Sequence, residues 1–286
     1  MLKIEHLTKA FGDKLAVDNL SLHIAPGEIY GFIGHNGAGK TTTLRSVAGI
    51  QQFDKGEIFI AGHSVRTEPL ECKRALAYIP DNPDLYDFMS GIKYLNFIAD
   101  IFGVSADERA ERIRRRAAEF ALTDDLAQPI AAYSHGMKQK LAIISAWLHQ
   151  PRLILMDEPF SALDPITRTQ LQDELISLQH QLNKTIVFVT HDMDEAIKLA
   201  DRICIIQSGH IVQCDRPEEI LKHPVNNYVE EFIGKDKLWS NPEFVKAEDI
   251  MLKRPVQASA DRTVVQAIHI MGHYNVDSLL VTEDGK

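Results

Sequence analysis

Eight residues, Gly34-His35-Asn36-Gly37-Ala38-Gly39-Lys40-Thr41, restrict what this chain can become more than any other feature. Gly34, Gly37 and Gly39 let the backbone curl so that successive N–H groups point inward, which suits a dense anion such as a polyphosphate. The apolar run 29–33 enters this loop as a strand. The segment 40–50 leaves it as a helix, whose N-terminal dipole adds positive potential at the same place. Strand, glycine loop, lysine and hydroxyl in this order define a P-loop and imply an α/β fold. Lys40 is then placed for the β- and γ-phosphates of a nucleoside triphosphate, and the Thr41 hydroxyl for Mg²⁺. His35, Asn36, Ala38 and Thr42 complete the stretch as candidate nucleotide contacts.

The rest of the chain agrees with that class. Short strand-and-turn patterns fill residues 1–25 and 56–60. Three helical patterns follow. The first covers 90–103, with Ile92, Leu95, Ile98 and Phe102 at helical spacing. The second starts after Ser105, which forms a capping box with Glu108; the third starts at Ser134 and ends before Pro151. They make residues 82–150 a helical insert. Beyond it the apolar runs 153–156, 186–190 and 202–207, separated by helical stretches, read as buried parallel strands. Asp157 ends the first of these runs, at the carboxyl edge where open α/β sheets bind ligands. A carboxylate there can hold Mg²⁺, directly or through water. Glu158 is the candidate general base for an attacking water, a role that contributes about 10²–10⁴-fold. Taken alone, Asp157-Glu158-Pro159 also reads as a plain exit from strand to turn, and a histidine such as His191 after a strand means nothing by itself.

At 286 residues and 45% hydrophobic content, the chain can hold one large domain and one small one. A net charge of -9 argues against a nucleic-acid surface, which needs clustered Lys and Arg. The one basic cluster, Arg112 with Arg114 to Arg116, is interleaved with Glu108, Glu111 and Glu119. Its pairs Glu108–Arg112 and Glu111–Arg115 mark a solvated helix face. Cys72, Cys204 and Cys214 show no metal-ligand spacing, and an odd, scattered set without a signal peptide fits a reducing compartment. No run approaches the ~18 apolar residues of a membrane span.

The P-loop is followed, in one set order, by Ser134-His135-Gly136, Asp157-Glu158, Ser161-Ala162-Leu163-Asp164 and His191. Together these resemble the ATP-binding cassette (ABC) family, the ATPase engines of membrane transporters. The resemblance implies a P-loop cassette over residues 1–235: a parallel sheet core, an N-terminal antiparallel β subdomain and a helical subdomain. It implies ATP and Mg²⁺ as cofactors. It implies that Ser134 and Gly136 face the γ-phosphate bound by another subunit, so that two chains pair head to tail with ATP between them. The Asp164 loop then crosses that interface, and His191 contacts the γ-phosphate and helps place the water. Phe11 matches an aromatic that stacks on adenine, with a core phenylalanine as the competing reading. Ser134 is a helix N-cap under either reading. The implied partner is a transmembrane permease on a separate chain. The subunit would lie at the cytoplasmic face of the cell membrane and touch it only through that permease.

Some residues depart from the family pattern. Tyr78-Ile79-Pro80 is followed by Asp81 where most members carry a Gln that senses Mg²⁺, and the hypothesis is that Asp81 takes that role. The signature has His135 for a Gly and Met137 for a Gln. Residues 78–86 and 133–139 resemble exporter-type (ABC-2-like) ATPases. Residues 164–168, 182–196 and 229–235 resemble ATPase subunits of glycine betaine/carnitine/choline importers, which suggests a mosaic chain. After a linker over 236–245, residues 246–286 resemble the opening of a CBS module, with Asp261 capping a helix whose Val264, Val265, Ile268 and Met271 face a core. The leading function is an ATP-hydrolysing transporter subunit, with quaternary amines as substrates. The alternatives are an exporter ATPase or a nucleotide-binding module in which Asp81 and the altered signature impair turnover. A non-transport member acting in DNA repair or translation would bring coiled-coil inserts or two cassettes, and the sequence has neither.

Overall fold

Alternation of apolar and polar residues along the first segments builds a hairpin. β1 (Leu2–Phe11) pairs antiparallel with β2 (Lys14–Ile24), and Leu2, Ile4, Leu7, Val17, Leu20 and Ile24 are all buried. β3 (Ile29–Ile33) is buried at every position and leads through the glycine loop into α1 (Lys40–Val47). β4 (Lys55–Ile60) and β5 (His63–Ser64) add to the first hairpin, giving a four-stranded antiparallel sheet in the order β2-β1-β4-β5. The expected helix 40–50 stops at Val47, because Gly49 adopts φ 68° just past its end and turns the chain.

A second sheet forms around β3. α2 (Pro69–Ala75) precedes β6 (Leu76–Ile79), and α3 (Gly91–Ile101), α4 (Ala106–Glu119) and α5 (His135–Trp147) fill the helical stretch. β7 (Leu153–Asp157), α6 (Pro165–Leu182), β8 (Thr185–Thr190), α7 (Met193–Leu199), β9 (Arg202–Gln207) and β10 (His210–Asp215) follow. Their order is β10-β9-β3-β8-β7-β6, parallel except for the antiparallel β9–β10 edge. β7 and β8 are buried throughout, as strands covered on both faces must be. One core joins the two sheets across α1: Leu7, Val17 and Ile58 meet Phe32, Leu155 and Val187, with Leu44 and Val47 between. α8 (Pro217–Lys222) and α9 (Asn227–Ile233) complete this body.

This is a computed structural model that describes residues 1–161, 163–234, 244–251 and 255–283. The chain divides into two compact units, 1–235 and 236–286. Ala162, Lys235, residues 236–243 of the expected linker (236–245), and residues 252–254 and 284–286 of the expected tail lie outside the described residues. The second unit contains α10 (Ala247–Ile250), β11 (Gln257–Ser259), α11 (Val264–Tyr274) and β12 (Leu280–Thr282), with β11 and β12 paired in parallel. Among the described residues no helix is long and apolar enough to cross a membrane.

Three sequence expectations need correction. Thr263, not Asp261, caps α11, through a complete capping box with Gln266. Val264 and Val265 are each 75% exposed rather than core-facing. The arginines of α4 are not all solvated: Arg116 is buried and Arg112 donates to the Leu148 carbonyl (2.6 Å), while the Glu108–Arg112 pair forms as expected (3.1 Å). The cysteines also behave differently from their spacing. The β9–β10 register sets Cys214 opposite Cys204 and the two form a disulfide, while Cys72 is free and buried.

Candidate nucleotide site

The loop between β3 and α1 explains its own glycines. A side chain at Gly34 would collide with the Ile206 carbonyl of β9, and one at Gly39 (φ 104°) with the Ala16 carbonyl of β2. Gly39, the residue before α1, offers no side-chain cap, and the first turn holds no acid, so the first N–H groups and positive dipole end of α1 stay available to an anion. Lys40 is buried and its Nζ donates to the carbonyls of Gly34 (2.6 Å) and His35 (3.1 Å). Burial holds its ammonium below the ordinary lysine range, and the nearby Glu158 and Asp157 carboxylates push it back up.

A cavity of about 210 Å³ follows this loop and includes Phe11, Gly37, Ala38, Lys40, Thr42 and Glu158 in its lining. Asn36, Gly39 and Thr41 line it as well. Phe11 is 49% exposed at the end of β1, which removes the core reading of that ring. Lys9 Nζ lies 5.1 Å from its centroid.

At the carboxyl edge of β7, Thr41 Oγ1 donates to Asp157 Oδ1 (2.8 Å) and Tyr78 Oη to Asp157 Oδ2 (3.3 Å). Asp157 is only 2% exposed, and burial raises its pKa above the usual carboxylate range, against the lowering pull of the Thr41 bond. Asp81, exposed in the loop after β6, raises it further and so lies within electrostatic reach of the same carboxylate. Glu158 sits at φ 43°, an uncommon backbone region for a residue with a side chain. Its N–H donates to the Val189 carbonyl (3.0 Å), and its Oε2 is 3.3 Å from His191 Nδ1.

Ser134, Gly136 and Asp164 stand elsewhere. Ser134 caps α5 by accepting from the Met137 N–H (3.2 Å), and Asp164 caps α6 by accepting from the N–H groups of Ile166 and Thr167 (both 3.1 Å). Gly136 faces Thr167 so closely that an added Cβ would lie 3.1 Å from its methyl. None of the three lines the cavities at the P-loop. The chain therefore brings the P-loop, Asp157, Glu158 and His191 to one place and leaves the signature residues at a second.

Sequence reading missed several neighbours. Lys14 lines the P-loop cavity from the start of β2, and only the strand register reveals it. Tyr78 as a partner of Asp157 follows from β6 running beside β7, which sets Tyr78 opposite Leu155. Behind His191, Thr190 Oγ1 donates to the buried Glu195 (2.6 Å), which lies 3.8 Å from Arg168 Nε.

A parallel sheet with a lysine-bearing glycine loop and a carboxylate pair at its carboxyl edge defines a P-loop nucleotide hydrolase. The ABC transporter family pattern matches residues 17–161. The chain is 44% identical to the glycine betaine/carnitine/choline transport ATP-binding protein OpuCA of Bacillus subtilis, covering 99% of this chain and 76% of that protein. It is 41% identical to the carnitine transport ATP-binding protein OpuCA of Listeria monocytogenes, over 100% of this chain and 73% of that one. A solved ATP-binding subunit of an ABC transporter superposes with a TM-score of 0.72 at 29% identity, covering 78% of this chain and 92% of its own. The chain thus belongs to the ABC transporter family as an ATP-binding subunit, and it is an ATPase that powers transport. The alignments with these relatives cover 99–100% of the chain and so run through both of its halves.

Proposed function

We propose that this chain is the MgATP-hydrolysing subunit of an importer for quaternary ammonium osmoprotectants such as glycine betaine, carnitine or choline. The observation that carries the reading is the 44% identity along 99% of the chain to a glycine betaine/carnitine/choline transport ATP-binding protein. Phe11 stacks on adenine, and Gly34 to Thr42 wrap the phosphates with Lys40 on the β- and γ-phosphates. Thr41 and Asp157 offer hard oxygen donors, and Asp81 adds a carboxylate nearby. Among the described residues no group of three or more His, Cys, Asp or Glu forms a metal cage. That donor set suits Mg²⁺, which takes one or two protein ligands and completes its shell with water and phosphate. When bound, the ion neutralises phosphate charge as a Lewis acid. Glu158 accepts the proton of the attacking water, and His191 holds Glu158 and the water in place.

Ser134, Gly136 and Asp164 stand away from the P-loop of their own chain. This supports a head-to-tail dimer in which they complete the partner's site. The exposed Phe88 (82%) and Tyr86 (44%), beside an apolar groove that includes Tyr94, Ile98 and Phe102, support docking of a membrane permease on the helical region. The subunit then works at the cytoplasmic face of the membrane. The CBS-like tail, residues 246–286, is proposed as a separate piece with no part in the chemistry.

The test is hydrolysis against protein concentration, followed by transport. A rate rising faster than linearly, and lost in Glu158→Gln, is expected. Co-expression with the cognate permease should restore glycine betaine uptake to a strain lacking this subunit. ATP binding without any turnover in the assembled complex would instead mean a nucleotide-responsive module with impaired hydrolysis.

A further inference from the structure

Between Gly34 and Gly39, before α1 begins, His35 carries the largest side chain, and its ring is held from outside the loop. The Phe232 ring meets it edge-on at 5.0 Å between centroids and 82° between planes. Tyr228 meets it at 5.7 Å and 70°. The two aromatics are one helical turn apart on α9 and lie 6.1 Å from each other. Edge-to-face contact at these distances is the favoured aromatic geometry. α9 is itself anchored, since Val229 and Ile233, each next along the chain, are buried. The pair therefore sits on a fixed support.

We propose that Tyr228 and Phe232 are positioning residues for nucleotide binding: they clamp the His35 ring and so preset the first turn of the phosphate loop. The link to the phosphate site is the His35 peptide. Its carbonyl accepts from Lys40 Nζ and from the Ala38 N–H, both at 3.1 Å. Gly34 before it is pinned against the Ile206 carbonyl, where no Cβ fits. The loop entrance is thus held at two successive residues, by β9 at Gly34 and by α9 at His35. Without the second hold, His35 lies between Gly34 and the Asn36-Gly37 turn, and the chain regains rotational freedom that binding must remove. A loosened clamp raises the Kd for ATP. It leaves the chemistry at saturating ATP nearly unchanged, because Glu158, Asp157 and His191 are carried by other strands.

The proposal rests on ATP binding at this P-loop, which Lys40→Ala tests separately; loss of the proposal leaves that reading intact. The experiment is equilibrium ATP binding and steady-state hydrolysis by the full chain and by Phe232→Ala, Tyr228→Ala, His35→Ala and the double variant His35→Ala/Phe232→Ala. Each single variant is expected to weaken ATP binding about three- to tenfold, the range an aromatic pair supplies. The double variant should bind no more weakly than the weaker single one, and Phe232→Ala alone should keep kcat within about twofold of the parent. Phe232→Tyr, which keeps the ring, should bind as the parent does. Effects that multiply in the double variant, or unchanged ATP affinity in a folded Phe232→Ala, overturn the clamp. Should Phe232→Ala melt before assay, Phe232→Leu repeats the cycle with the helix packing kept and the ring removed.

Discussion

Helices α5 and α11 have similar lengths, 13 and 11 residues, and both carry apolar residues at helical spacing, yet they end in opposite environments. α5 buries eight residues, among them Leu141, Ile143 and Ile144 at no exposure. α11 has no buried residue, and Val264, Val265 and Ile268 are 62–75% exposed. α5 packs against α3 on one side and β6 of a six-stranded sheet on the other. α11 connects two strands of three residues each. An amphipathic pattern states what a helix can bury; the number of layers around it decides what it does bury. The same contrast separates the units as chemistry: the P-loop, Asp157, Glu158 and His191 all belong to the first, and their supports are buried strands.

Four substitutions and one pH dependence sharpen or break this contrast. The largest effect falls on the chemistry of the first unit: Glu158→Gln should lower kcat by about 10²–10⁴-fold with ATP still bound, checked by phosphate release beside a binding titration. A kcat within tenfold of the parent would move the general base to another residue. In the core of the same unit, Leu155→Ala on β7 removes a fully buried side chain and should cost about 2–5 kcal/mol in denaturant unfolding. Val265→Ala on α11, cut from a 75% exposed side chain, should stay within about 0.5 kcal/mol. Equal costs would abolish the contrast. In the second unit the local device that matters is the cap: Thr263→Ala should cost about 1 kcal/mol and speed amide exchange in the first turn of α11.

The smallest effect is a pH dependence from His149. Its Nε2 lies 3.1 Å from the Leu76 carbonyl, and its ring stacks on Phe102 at 3.7 Å. Burial first, and Lys184 after it, hold its pKa below the ordinary histidine value, while the Leu76 bond pulls it upward. The folded protein therefore keeps His149 neutral where the unfolded chain protonates it. This contribution is complete above the unfolded value of about 6.5 and declines as pH falls below it. Melting curves between pH 7.5 and 5 (on the order of one unit either side of that value) should fall more steeply for the parent than for His149→Gln. Parallel curves would show that this histidine does not carry the dependence.

The elements around the phosphate loop were legible because each carries a local mark. Three glycines and Lys40 between a five-residue apolar strand and a helix leave little choice of conformation, and the run ending at Asp157 is apolar throughout because parallel strands are covered on both faces. Ser134, Asp164 and Ser105 were readable as caps, since side-chain oxygens satisfy the orphan N–H groups of the helices they precede. Legibility failed where two segments had to meet in a register that neither one carries. The register that joins Cys204 to Cys214 is one case, the Tyr78–Asp157 bond another, and the grip of α9 on His35 a third. Asp261 stands just before the apolar run as a capping residue would, but the reciprocal bond from Gln266 places the cap of α11 at Thr263.

By itself the sequence determined a glycine loop with Lys40 whose pattern suits a triphosphate, a carboxylate pair at a strand end and a family signature downstream. These are properties of short segments, set by which backbone angles, caps and apolar runs each segment permits. Only the tertiary structure decided that His191 stands 3.3 Å from Glu158, that Phe11 is exposed beside the loop, and that Ser134 and Asp164 lie apart from it. Those facts depend on strand order and register between residues far apart in the chain. No local pattern encodes them, because they emerge only when every layer has found the partner that buries it.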